Sequence, residues 1–293
     1  MEEEIFNERR EWYSNPDVLF QIVNQLKDRE TAFYKKVKDQ RFAPARWLKC
    51  HTAQYLLQNM IRYEFFQEPM NLYYSVARYK TFPTMSFNLS QKPLQQEDWN
   101  ETLNENPDAH VNSYDLFIDI DNPDLTKAHN DMLITKRFLE EHNLPIMVSF
   151  SGNKGFHIEL KTEFIPSEIR NLPINYQVFL QRKIIRKLKD LLLVESIDES
   201  IYDLKRICKT KFSYDVTSGL ICLPLTDYEC EHFNKSIVKP EHLLSYPRRI
   251  KMGLLIDDKL KRAENYHDIV LKFYTEMLGK LEENKEEGGV NNE

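Results

Sequence analysis

Leu116-Phe-Ile-Asp-Ile-Asp121 is the stretch from which the rest of the chain can be read. Its apolar residues place a buried strand over 114–120, ending in two acids. Residues two apart on a strand share a face, so Asp119 and Asp121 project side by side from the edge of a core. Carboxylates this close repel unless a cation lies between them. Mg²⁺ and Mn²⁺ take oxygen ligands of this kind. Asn122-Pro-Asp124 follows at once, so a solvated turn is the competing account of the pair.

Upstream, the first hundred residues read as helical with one strand. Asn15-Pro-Asp17 caps a helix bearing Leu19, Ile22, Val23 and Leu26 on one face. A second helix spans about 52–66, with Leu56, Leu57, Met60, Ile61 and Phe65 as its stripe. The segment 72–79 is rich in β-formers, and 80–112 reads as a polar loop. Downstream, the patterns predict a helix over 127–142 and strands over 145–150 and 156–160. An amphipathic helix over 176–194 counts Phe179 among its apolar residues, and a short strand at 220–225 and a last helix over 265–281 follow. Strands and helices mix without strict alternation, which favours an α+β (mixed α/β) fold with helices on one side of a sheet.

The loop Ser151-Gly-Asn-Lys-Gly-Phe-His157 holds two of the chain's seven glycines. Glycines let backbone approach a ligand, and Ser151, Lys154 and backbone N–H groups are natural partners for phosphate oxygens. A plain hairpin loop is the alternative. A third segment begins with Ile197-Asp198 and becomes basic at Lys205, Arg206, Lys209 and Lys211. Read alone, it is equally a solvated loop of mixed charge. Together the three supply carboxylates for metal ions and cations for a polyphosphate, which nucleotidyl transfer requires.

At 293 residues, 41% hydrophobic and 29% charged, the chain has a globular balance. Its net charge of -6 does not by itself announce a nucleic-acid binder, so local clusters must carry that role. One such cluster is Arg182, Lys183, Arg186, Lys187 and Lys189, read as the solvated face of a helix. Cys50, Cys208, Cys222 and Cys230 form no close pair, and Cys222, Cys230 and His232 fit no common zinc spacing, so no structural zinc is expected. No apolar run approaches the ~20 residues of a membrane span. With no leader evident, the expectation is a reducing, cytoplasmic setting beside the nucleoid. The tail over 282–293 has the composition of a disordered segment.

In this order and spacing the segments resemble the archaeo-eukaryotic primase (primase-polymerase) superfamily, and in it the small catalytic subunit of DNA primase. The family's paired-aspartate strand is matched by 117–121, and its S-G-x-[KR]-G-h-H loop at every specified position by 151–157. Its later acid-to-basic segment is matched from Ile197-Asp198 through Arg206, Lys209 and Ser213 to Ser218-Gly219, and its R-E-h-x-F segment by 29–33. The resemblance implies an RRM-like β-sheet carrying the acids, with residues 1–281 forming one catalytic domain of two interleaved α/β modules. It implies Asp119, Asp121 and Asp198 as catalytic ligands of two Mg²⁺ or Mn²⁺ ions. Ser151, Lys154, His157, Arg206, Lys209 and Ser213 would bind the nucleotide. Asp203, in Asp203-Leu-Lys-Arg206, rivals Asp198 as third carboxylate.

Two departures accompany the match. Asp215 stands where the family has histidine, and no cysteine lies between the first two motifs to build the zinc knuckle of replicative primases. The expected activity is template-dependent addition of NTPs or dNTPs to a 3′-hydroxyl, with de novo initiation open. The alternatives are a gap-filling repair polymerase that cannot prime, and an inactive single-strand-binding module stacking bases on Tyr73, Tyr74 and Tyr79. The implied partners are a single-stranded DNA template and nucleoside triphosphates. A primase large subunit, or a replication, repair or CRISPR factor, would join them.

Overall fold

Among the described residues three antiparallel sheets organise the chain, and residues of two of them line one cleft. The computed structural model describes residues 2–37, 40–82, 96–199, 202–253 and 266–279. The tail expected over 282–293, and 83–95 within the expected polar loop, lie outside the described residues.

The chain opens with helices α1 (Glu2–Ser14) and α2 (Pro16–Gln25), the latter capped by the Asn15 side chain, which accepts from the Asp17 and Val18 N–H groups. A hairpin follows, β1 (Thr31–Val37) and β2 (Gln40–Leu48), then α3 (Ala53–Arg62), β3 (Met70–Ser75) and β4 (Ala77–Tyr79). The expectation of one strand in the first hundred residues is therefore corrected: the described residues there form four. The hairpin's strand signal is broken by Lys35, Lys36, Arg41 and Arg46, and Pro44 argues against a central strand. β2 lies at a sheet edge, where a missing N–H is tolerated. One charge that breaks the pattern is paired: Arg46 Nη2 lies 2.9 Å from Oε2 of the fully buried Glu30.

The expected loop over 80–112 instead contains α4 (Gln96–Glu105), α5 (Pro107–His110) and β5 (Val111–Tyr114), which pairs with β4. Ile61, placed in the α3 stripe, is 71% exposed, while Leu56 and Met60 are buried. Tyr74 and Tyr79, offered for base stacking, are buried; Tyr73 alone of the three is partly exposed.

The second half follows its pattern closely. β6 (Leu116–Asp121), α6 (Leu125–Glu141), β7 (Ile146–Phe150) and β8 (Gly155–Leu160) lead through the short α7 (Ser167–Arg170) to α8 (Ile174–Leu192). β9 (Ile207–Lys209) returns to the first sheet, giving the order β2-β1-β3-β9, while β10 (Leu223–Pro224) completes the second, β10-β7-β8-β6. Short helices α9 (Asp227–Glu231), α10 (Pro240–Ser245) and α11 (Pro247–Met252) and a last helix Tyr266–Leu278 follow; Val270, Phe273, Tyr274 and Met277 of that helix are buried. No helix among the described residues is long and apolar enough to cross a membrane.

The second sheet divides its residues by face. Leu116, Ile118 and Ile120 pair with Leu160, Ile158 and Phe156 and are buried; His129 of α6 meets the Phe156 ring at 5.7 Å. The other face carries Asp119, Asp121, His157, Glu159 and Ser149.

Buried ions join the two sheets. Glu159 of β8 pairs with Lys211, just beyond β9, and with Lys161 at 2.7 Å, and it accepts from the Tyr74 hydroxyl of β3 at 3.2 Å. Asp115, ahead of β6, pairs with Arg29, ahead of β1, at 2.5 Å and accepts from Thr162 N–H at 2.9 Å. Burial alone would raise the Asp115 pKa, but Arg29, Lys161 and Arg78 bring it down to about 2. Breaking such a pair strands a buried charge, at roughly 3–5 kcal/mol.

Asp115→Asn is accordingly expected to lower the unfolding free energy by about 3 kcal/mol at pH 7, read from urea denaturation. A folded-state pKa below the usual carboxylate value stabilises above about pH 4, and that contribution disappears as pH falls through about 2. The wild-type chain should lose about 2 kcal/mol over that window from this group, and the variant should not.

Candidate active site

Gly155 opens β8 directly opposite Asp121. A β-carbon there would stand 2.2 Å from the Ile120 carbonyl oxygen, so only glycine lets β6 close on the loop. Gly152 has φ of +90°, a conformation glycine adopts without strain. The turn is tied by Ser151 N–H donating to the Gly155 carbonyl at 2.9 Å and Gly155 N–H donating to Ser151 Oγ at 3.1 Å. At its tip, Lys154 reaches 3.1 Å back to Asp121.

Across the same ladder His157 pairs with Asp119, its Nε2 3.7 Å from Asp119 Oδ1. Burial, then Lys211, Arg206 and Lys209, push the His157 pKa well below 6.5, so the imidazole is neutral at pH 7. Its ring rests on Phe117 with centroids 4.9 Å apart, and its buried Nδ1 has no hydrogen-bond partner.

The third carboxylate comes from another part of the chain. Ile197 bridges Ile120 antiparallel; Asp198 N–H donates to the Asp119 carbonyl at 3.0 Å, and Asp121 N–H to the Ser196 carbonyl at 2.9 Å. Residues opposite one another across such a bridge share a face with Cβ atoms roughly 5 Å apart. Asp198 thereby joins Asp119 and Asp121 on one side of the ladder. Asp203 is exposed and lines the same cavity as Asp119, its carboxylate accepting from Lys205 N–H at 2.6 Å. The register puts Asp198, not Asp203, beside Asp119.

Arg206 and Lys209 of the 205–211 segment line the same cavity. Arg206 Nη2 donates to Asp119 Oδ2 at 2.8 Å, and its Nε is buried without a partner. Lys209 pairs with Asp215, whose other oxygen accepts from Thr217 and Ser218 N–H groups at 2.9 Å each. The acid standing where the resembled family has histidine is thus turned onto a lysine and a tight turn. Ser213, expected at the nucleotide, is fully buried, its hydroxyl has no partner, and it does not wall the cavity.

The cavity has a volume of about 1090 Å³. Asp119, Asp121, Ser151, Lys154, His157, Arg206 and Lys209 wall one side of it; Asp198 is not part of the wall. The facing wall includes Tyr34, Lys35, Arg46, Asn71 and Tyr73. Tyr34 and Tyr73 meet edge-on at 5.5 Å, and Arg46 donates to the Tyr34 hydroxyl at 2.9 Å. These residues escape a sequence reading because the β1–β2 hairpin does; once that hairpin is in hand, the alternation Tyr34/Ala32 and Tyr73/Asn71 aligns them. Among the described residues, no three His, Cys, Asp or Glu side chains are gathered to enclose an ion as they stand. Asp119 and Asp121 are instead neutralised by Arg206 and Lys154.

No protein-family model matches the sequence, and no curated protein matches it significantly. Among solved structures, the polymerase domain of ligase D from Mycobacterium tuberculosis, determined in complex with DNA, superposes with a TM-score of 0.55 at 12% identity, over 88% of this chain and 93% of that one. The catalytic domain of primase RepB′ in complex with initiator DNA gives 0.39 at 12% identity, over 84% of this chain and 99% of that one, a score too low to carry weight beside the first. The chain therefore has the fold of the ligase D polymerase domain.

Proposed function

We propose that the chain is a metal-dependent, template-directed nucleotidyltransferase of the primase-polymerase kind. The observation that carries this reading is one cleft in which the Asp119–Asp121 edge, the Ser151–His157 loop and the Arg206–Lys209 cations share a wall. Carboxylate oxygens are the donors Mg²⁺ and Mn²⁺ prefer. Asp119, Asp121 and Asp198 fit such ions in kind and in backbone placement, and the edge already attracts two side-chain cations at 2.8 and 3.1 Å. The bound ions would supply Lewis-acid stabilisation of the attacking and leaving oxygens.

The chain's own groups divide the remaining work. Ser151, Lys154 and the loop's backbone N–H groups hold triphosphate oxygens, and Arg206, once it leaves Asp119, adds a guanidinium to the same charge. Lys209 contributes through the field it shares with Asp215. His157, kept neutral, donates one N–H without adding positive charge. On the facing wall Tyr34 and Tyr73 offer aromatic surface to a base, and Lys35 and Arg46 offer charge to the strand. A purely strand-binding role is disfavoured by the three acids, which repel phosphate unless a cation intervenes.

Incubation with a single-stranded template, Mn²⁺ or Mg²⁺ and labelled triphosphates tests the reading. Primed template should be extended; products on unprimed template would add initiation to the activity. Asp119→Asn and Asp121→Asn should each lower incorporation by about 100-fold or more, the scale of losing one preorganised electrostatic contact to a transition state. Chelation of the metal should stop it. Full synthesis by both variants would sink the assignment. Arg206→Ala should raise KM for the triphosphate by roughly tenfold, with primer affinity unchanged.

A further inference from the structure

The polar face of α8 has no part in the cleft chemistry, yet the helix reaches the cavity: Asn175 and Val178 form part of its wall. Phe179, grouped with the apolar stripe in the sequence, is in fact 42% exposed. Its ring stacks on Tyr176 at 5.7 Å, and the Lys183 ammonium lies 4.7 Å from its centroid. At about 100° per residue, Asn175, Phe179, Arg182 and Arg186 fall on one strip of the helix, and all four are exposed. Arg182 Nη2 donates to the Tyr202 carbonyl at 2.5 Å, and Arg186 meets Glu199 at 3.1 Å. The strip therefore runs from the cavity rim beside the segment that carries Asp198.

We propose that this strip seats single-stranded nucleic acid, the flank of the strand whose copied part lies in the cleft; it rests on the reading of the cleft given above. The strip combines an outward aromatic face with three cations within one and a half turns. Base–aromatic stacking and phosphate–cation contact together bind a strand without reading its sequence. The Arg186–Glu199 contact is a surface pair, 67% exposed at the arginine, and such pairs hold their partners weakly. A phosphate displaces Glu199 readily. In a chain of net charge -6, these local cations give the strand a defined way out of the cavity. The exposed leucines Leu191 and Leu193 lie at the far end of α8, so the end next to the cavity favours nucleic acid over an apolar protein contact.

The test is fluorescence anisotropy of labelled oligothymidine and oligouridine, about 25 nucleotides long, without triphosphates. The two oligonucleotides show whether deoxyribose or ribose backbones are preferred. The variant R182Q/K183Q/R186Q should bind at least tenfold more weakly and lower the salt slope by about 2. Phe179→Ala should weaken binding at least fivefold, and Phe179→Tyr should restore it. Unchanged binding in these variants, or no binding by the wild-type chain, overturns the proposal and leaves the strip to a protein partner. Extension of a short primed template, confined to about six single-stranded nucleotides, is measured in parallel. Wild-type binding that is absent, or that the variants leave unchanged, with extension intact sinks only the strip. Strip-dependent binding without extension sinks only the cleft reading.

Discussion

Everything about the cleft depends on how β8 is held to the first sheet. Glu159 sits two residues beyond His157 on the same face of β8, and it is clasped by Lys211 and the Tyr74 hydroxyl from the other sheet. Asp115 and Arg29 make a second clasp at the root of β6. Pairs buried this deeply contribute little net stability compared with apolar packing. They do fix direction: an ion pair with its hydrogen bonds satisfied tolerates one relative placement of the two sheets, and that placement sets which walls face each other across the cavity. The acids of β6 and the tyrosines of β1 and β3 owe their opposition to it.

A second constraint acts locally. Three carboxylates on adjoining positions of a two-stranded bridge repel. The chain offsets this with Arg206 on Asp119 and Lys154 on Asp121. Both cations come from loop residues rather than from the strands. The Lys209–Asp215 pair is different: it is buried, and Asp215 is also bonded to two backbone N–H groups. That acid holds the loop 215–219 in shape and places no free negative charge in the cleft.

The legible parts of this chain were those where local pattern and tertiary role agree. β6, β7 and β8 are short apolar runs flanked by turn residues, and the Ser151–His157 loop carries glycines that geometry demands at 152 and 155. The acids could be placed because a strand repeats every two residues. The β1–β2 hairpin was hidden because its charged residues find partners only in the folded chain, as Arg46 does at Glu30. The cavity's aromatic wall was hidden with it. Tyr74 and Tyr79 looked like stacking residues because composition cannot tell the face of a strand that meets another sheet from one that meets solvent. Ser213 is a similar case: its position in the chain is readable, but the turn that buries it is not.

Diffraction from crystals soaked with Mn²⁺ and a non-hydrolysable nucleoside triphosphate measures the central claim most directly. Anomalous peaks beside Asp119, Asp121 and Asp198, with Arg206 drawn off Asp119 toward the phosphates and the triphosphate against Ser151 and Lys154, are the predicted result. A triphosphate seated elsewhere, or a cleft in which Arg206 stays on Asp119 and no manganese peak stands beside the three acids, would contradict it.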